Sequence, residues 1–241
     1  MENNYEYYRN NNGTLYCGDC LDIMPHLPVV DMILTDPPYK TISGGTSSAL
    51  ANKWKTSVLA KNDGKIFEVN SITPKEYCQL FFKVLKEGKD AYVMTNNLTL
   101  LRLLTEADNA GFKFHGLLGW EKNTYTANRW YMKNLEYVCY FYKFPAKRIK
   151  DASSKQIFKA DNITNKLHPT QKPVSLFSHY IENSTNIGDT VIDPFIGGGT
   201  TAVACERLNR KWIGIEQDEK YCAIAKKRII AEEIKQFNPL I

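Results

Sequence analysis

TVIDPFIGGGTTAVACERLNRKWIGIE, residues 190–216, holds a strand, a turn, a helix and a second strand. The first apolar run rises to Asp193 and stops at Pro194. Proline cannot continue a sheet ladder, so the chain leaves the sheet there. Gly197, Gly198 and Gly199 follow, and a helix begins near Thr200 and Thr201. A second apolar run, RKWIGIE, ends on Glu216, 23 residues after Asp193. This spacing makes a βαβ unit with two parallel strands. Glycines in its first turn let the backbone approach a ligand with no Cβ in the way. An acid closing the second strand faces the crevice and can hold both hydroxyls of a ribose.

The same turn argues against phosphate ligands. No G-x-x-x-x-G-K-[ST] is present, so a nucleoside triphosphate loop is excluded. After the glycines comes TTAVA, without the third glycine of a dinucleotide turn. Asp193 would repel a pyrophosphate and suits a cation. S-adenosylmethionine carries a sulfonium, an ammonium and a ribose, and no phosphate.

Outward from this unit the chain keeps alternating. GTLYCGD, VVDMILTD and DAYVMT read as strands; CLDIMPHL gives one or two helical turns. Thr73-Pro74-Lys75-Glu76 opens a helix with a capping box and a proline at the first position. That helix is expected to run to Gly88, and the next, LTLLRLLTEADNAG, to Gly111. FKFHGLLGWEK and LEYVCYFYK are two β-rich runs in sequence. KPVSLFSHYIENST and the last twenty or so residues read as helices. The expectation is an α/β fold: a Rossmann-like, doubly wound, mostly parallel sheet with an antiparallel hairpin at one edge. The Asn-rich start is expected to be disordered. Residues 41–73 are polar and lysine-bearing, too long for an idle loop. The apolar and charged fractions, 43% and 24%, suit one domain over 1–241 with a sizeable core.

Between VVDMIL and that insert stands LTDPPYK, Leu34 to Lys40. Asp36-Pro37-Pro38-Tyr39 alone could be a strand-to-loop turn capped by its acid. The charge pattern adds to it. Net charge is +5, yet the window from Lys143 to Lys172 alone carries +6, so the remainder is near −1. Five lysines against Asp63 fill residues 40–65. Two basic windows on a near-neutral body fit a polyanionic partner. Six cysteines include one C-x-x-C, Cys17 and Cys20, with no second pair to complete a zinc site, so no metal is expected. Neither a secretory signal nor a run of about 18 apolar residues is present. A reducing, cytoplasmic location is expected, with free thiols and no membrane.

LYCGDCL, TDPPY, HPTQKP and DPFIGGGTT resemble, in that order, the sequence blocks of the β group of DNA amino-methyltransferases. The resemblance runs from about Leu15 to Arg228. It implies a circularly permuted methyltransferase, with the D-P-P-Y block before the cofactor turn. The methyl donor would be S-adenosylmethionine, leaving S-adenosylhomocysteine, and the partner double-stranded DNA. Asp193, Phe195, Gly197, Gly199, Thr200 and Thr201 match the cofactor turn, and Glu216 the ribose acid. Asp19 and Cys20 match the block against the cofactor adenine. His168, Pro169, Thr170 and Lys172 match the block near the methionine carboxylate. Asp36, Pro37, Pro38 and Tyr39 match the catalytic block, and Asp36 also borders the cofactor.

That chemistry explains the opening acid. An adenine N6 lone pair is delocalised into the ring. Two acceptors, the Asp36 carboxylate and the Pro37 carbonyl held by Pro38, draw it back onto nitrogen. Tyr39 offers its ring to a base flipped from the duplex. The resemblance favours N6-adenine, with N4-cytosine as the alternative, or a catalytically silent nucleic-acid-binding subunit. C5-cytosine chemistry needs a Pro-Cys nucleophile, and no such dipeptide occurs. RNA and protein-glutamine methylation go with Asn-Pro-Pro-Tyr after the cofactor turn; here the block begins with Asp and precedes that turn. A restriction-modification setting and a homodimer are both compatible with it. Residues 41–73 and 123–167 are expected to contact DNA. The short window before HPTQKP points to a short target or relaxed recognition.

Overall fold

The computed structural model describes residues 5–38, 72–126, 131–164, 167 and 171–237. Tyr39, His168, Pro169, Thr170 and nearly all of the 41–73 insert lie outside the described residues.

Among the described residues, nine strands form one sheet: β1 (Glu6–Arg9), β2 (Gly13–Cys17), β3 (Val30–Thr35), β4 (Leu85–Thr95), β5 (Lys113–Thr126), β6 (Lys133–Tyr142), β7 (Ile157–Lys159), β8 (Thr190–Asp193) and β9 (Lys211–Glu216). Their order is β1-β2-β9-β8-β3-β4-β6-β5-β7. From β2 to β4 every pairing is parallel. β6 runs antiparallel to both β4 and β5, which is the expected hairpin. The short β7 lies parallel on the outer side of β5.

Six helices cover the two faces: α1 (Cys20–Ile23), α2 (Pro74–Val84), α3 (Leu100–Ala110), α4 (Val174–Ser184), α5 (Thr200–Arg207) and α6 (Glu219–Phe237). Strand side chains alternate between two apolar layers. Leu34, Met94, Val138, Val191 and Trp212 pack with Leu176, Ala204 and Ile229 from α4, α5 and α6. Ile33, Val93, Cys139, Ile192 and Ile215 pack with Tyr77, Phe81, Leu103 and Ala107 from α2 and α3. The six buried residues of β3 explain its unbroken apolar run: it is covered on both sides.

Two expectations are corrected. Residues 5–12 are ordered, and β1 pairs antiparallel with β2. Their polar side chains find partners far along the chain: Tyr8 donates to Glu233 (3.0 Å), and Asn10 to Glu206 (2.6 Å). Helix α2 begins at its capping box, where Glu76 accepts from the Thr73 amide at 2.8 Å. It ends at Val84 rather than Gly88. The Lys143 ammonium donates to the carbonyls of Phe82 (2.8 Å) and Leu85 (3.0 Å), and Leu85 already belongs to β4.

Candidate active site

Parallel strands deliver their last residues to one end of the sheet, so Cys17, Glu216, Asp193, Thr35 and Thr95 close neighbouring strands. Ligands bind to open α/β sheets in the crevice outside such ends.

Thr35, the last residue of β3, donates its hydroxyl to Asp193 at 2.6 Å. Thr201, at the start of α5, donates to the other carboxylate oxygen, and the Phe195 amide donates at 3.1 Å. Asp193 is 3% exposed. Burial pushes its carboxyl up to about 7; the three hydrogen bonds oppose that rise, and the neighbouring Asp36 charge adds to it. Asp193 therefore ties the end of β3 to the glycine turn, and a cation in the crevice would favour its ionised form.

The turn itself is narrow. Gly197 has φ +51 and Gly199 φ +81. A Cβ on Gly199 would stand 3.0 Å from the Cβ of Ala225 on α6, so this glycine serves close helix packing. Glu216 accepts from the Gly197 amide at 3.0 Å and from the Asp218 amide at 2.9 Å. Burial raises its pKa. Phe195 is half-buried and meets Tyr77 edge-on, 5.9 Å between centroids. The Thr200 hydroxyl donates weakly to the Lys172 carbonyl at 3.4 Å. Asp19 caps α1 by accepting from the Leu21 amide at 2.8 Å. Burial pushes the Cys20 thiol up to about 12, which keeps it neutral.

Asp36 follows Thr35 directly and shares this crevice with Asp193. Pro37 is buried beside it. The Lys172 ammonium meets Asp36 Oδ2 and lies 3.3 Å from Glu136 Oε2. Glu136 Oε1 is 3.1 Å from Lys122 Nζ. The sequence reading placed Lys172 near a bound carboxylate and did not single out Glu136 or Lys122. One sign was available: Glu136 and Lys122 are charges set within two otherwise β-rich runs. Next to the two prolines, Tyr77, Thr95, Asn96 and Arg102 help to line a pocket of ≈ 170 Å³.

The basic window divides between the two ends of the sheet. Antiparallel β6 runs away from the crevice, and Lys143 follows its last residue, Tyr142. Lys143 is occupied with α2, and Lys150 with the Thr185 carbonyl behind α4. The Gly88 amide donates to the Lys143 carbonyl, which fixes this stretch at the start of β4, opposite Asp36. Lys133 and Lys159 lie toward the crevice end, on β6 and β7.

This geometry has known counterparts. Residues 30–227 match the DNA methylase family of N6 and N4 type. The chain belongs to that family. Two curated relatives align along nearly their whole length. The type II methyltransferase M2.DpnII of Streptococcus pneumoniae is 28% identical over 253 residues, 94% of this chain and 92% of its own. M2.MboI of Moraxella bovis is 28% identical over 259 residues, 93% and 92%. Among solved structures, the M1.HpyAVI–SAM complex superposes with a TM-score of 0.68 at 26% identity, covering 90% of the methylase and 98% of that chain. The cytosine-N4-specific PvuII methyltransferase gives 0.71 at 20% identity, covering 97% and 95%, and shares the fold. As a DNA methylase, this protein has DNA as its substrate. Among the described residues, no helix is long and apolar enough to cross a membrane, and no cluster of three His, Cys, Asp or Glu is placed to hold a metal.

Proposed function

We propose that this methylase transfers a methyl group from S-adenosylmethionine to the N6 amine of an adenine flipped out of duplex DNA. The observation that carries this reading is the Thr35–Asp193 hydrogen bond, which joins the Asp-Pro-Pro corner to the glycine turn across one strand spacing. Acceptor and donor-binding elements then share one crevice.

The residues suit the donor. Asp193, Asp36 and Glu216 make the crevice acidic, which favours a sulfonium and an ammonium. Glu216 stands where the ribose hydroxyls would lie, and Phe195 flanks the turn. Asp19 and Cys20 border the adenine side, and the family resemblance assigns His168, Pro169 and Thr170, which lie outside the described residues, to the methionine carboxylate. S-adenosylmethionine, when bound, supplies an electrophilic methyl on sulfur. The chain's own part is positioning. Asp36 and the Pro37 carbonyl accept the two amine hydrogens, the lone pair returns to nitrogen, and Tyr39 stacks on the base. An acid before the two prolines, rather than serine, favours adenine over cytosine within the family resemblance.

The chain is read as one methyltransferase domain in the cytoplasm, with DNA contacts from 41–73 and from the crevice-side part of 123–167. A restriction-modification role and a homodimer complete the reading. The test is transfer of labelled methyl to duplex DNA, with the modified base identified by digestion. N6-methyladenine is expected; N4-methylcytosine would replace the base assignment, and no transfer would refute the enzyme. Asp36→Asn keeps the shape and removes the acceptor charge. It should lower the single-turnover rate, measured at saturating cofactor, by about 10²-fold or more.

A further inference from the structure

We propose that Glu136 is a second seat for the Lys172 ammonium, and so a positioning residue that frees Asp36 for the incoming amine. The inference rests on the reading in which Asp36 accepts from that amine.

Lys172 is 6% exposed, so its ammonium has almost no water and must stand on anions. Among the described residues, two are in reach: Asp36 Oδ2 in direct contact, and Glu136 Oε2 at 3.3 Å. Burial alone would pull the lysine pKa down, but the charges of Asp36 and Glu136 outweigh it and the net shift is upward. The group stays protonated throughout. As long as it sits on Asp36, it occupies one of the two carboxylate oxygens and weakens the other as an acceptor for the amine. Moving it away with no other anion nearby would leave a buried charge unpaired, which is strongly unfavourable. Glu136 removes that cost, because the flexible lysine stem can swing between two carboxylates already at contact range.

Glu136 is built to wait there. It stands on β6, paired across the strand with Trp120, whose ring is buried. Its Oε1 is held by Lys122 at 3.1 Å, which leaves Oε2 turned to Lys172. Lys122 in turn lies 5.9 Å from the Trp120 ring centroid. Lys172 and Lys122 also keep the Glu136 carboxyl ionised: burial pushes its pKa up, and the two ammoniums bring it below the usual value. The seat is therefore charged at neutral pH.

The test compares Glu136→Gln and Glu136→Asp with wild type. Melting temperature, cofactor affinity and single-turnover methyl transfer to duplex DNA are measured on the full chain. Glu136→Gln should slow transfer about tenfold or more, leave cofactor affinity within about twofold, and Glu136→Asp should recover part of the rate. The same Gln change in a Lys172→Met background should have no further effect, since no ammonium then needs a seat. An equal loss with and without Lys172, or a loss confined to melting temperature, overturns the inference and makes Glu136 structural. Should Lys172→Met fail to fold, the recovery by Asp and the constant cofactor affinity decide alone. An active wild type with an unchanged Glu136→Gln overturns this inference only; a wild type inactive on DNA overturns the functional reading beneath it as well.

Discussion

Thr35 precedes the Asp-Pro-Pro corner proposed as catalytic and does the joining. Its hydroxyl is one of two that hold the Asp193 carboxylate, inside a site almost closed to water. Thr35→Val keeps the volume and removes the donor, so it should destabilise the fold by about 1–3 kcal/mol. Its effect on pH dependence has a definite sign. In the unfolded chain an aspartate ionises near about 4; in the fold Asp193 does so at about 7. Between those values the folded state holds the extra proton. This group's contribution therefore makes stability fall as pH rises from about 4 to about 7, and adds no slope beyond. The Thr35 bond favours the ionised form, so its loss raises Asp193 further. Urea unfolding at successive pH values should show the falling limb extending to higher pH in the variant. A limb in the same place would mean Thr35 does not govern Asp193.

At the scale of elements, Gly199 sets how closely α5 packs on α6. It has φ +81, and a Cβ there would stand 3.0 Å from the Ala225 Cβ. Gly199→Ala imposes a strained backbone and a close contact together, about 1–3 kcal/mol in total. The expected result is a lower urea midpoint and weaker cofactor binding, because the displaced turn includes Gly197 and its bond to Glu216. The βαβ unit around it was legible in the sequence, since its signals are local: an apolar run, a proline stop, three glycines, a second apolar run. The same holds for the Thr73–Glu76 capping box and for α3 closing at Gly111. Helix α2 was read past its end because the stop comes from Lys143, on the far side of β6 in sequence. Strand β1 was missed because its residues are polar; Glu206 and Glu233 hold it, about two hundred positions away. The glycine turn and the acid that meets it could be read from adjacent residues. The Lys172–Asp36–Glu136 cluster joins three distant segments, and no local pattern announces it.

Across the whole molecule the basic window splits in two, and this changes what it can do. Read along the chain, eight cations between 143 and 172 form one patch. In the fold, the antiparallel direction of β6 sends Lys143, Lys147, Arg148 and Lys150 to the end of the sheet opposite Asp36, and two of them bond to carbonyls there. In the proposed reading, a duplex whose flipped base reaches Asp36 would lie across the other end. Each lysine that meets a phosphate releases counterions and steepens the salt dependence of binding by close to one unit of log–log slope. Lys133 and Lys159 are exposed toward the crevice end, although Lys159 also lies 3.0 Å from Glu121. Lys133→Gln with Lys159→Gln should therefore lower the slope by about two. Lys147→Gln with Arg148→Gln, the same loss of charge at the opposite end of the sheet, should leave it unchanged. Binding of a fluorescent duplex across a salt series measures both. Equal slopes in the two double variants would mean that DNA reaches around the sheet, and that the linear patch is the right guide after all.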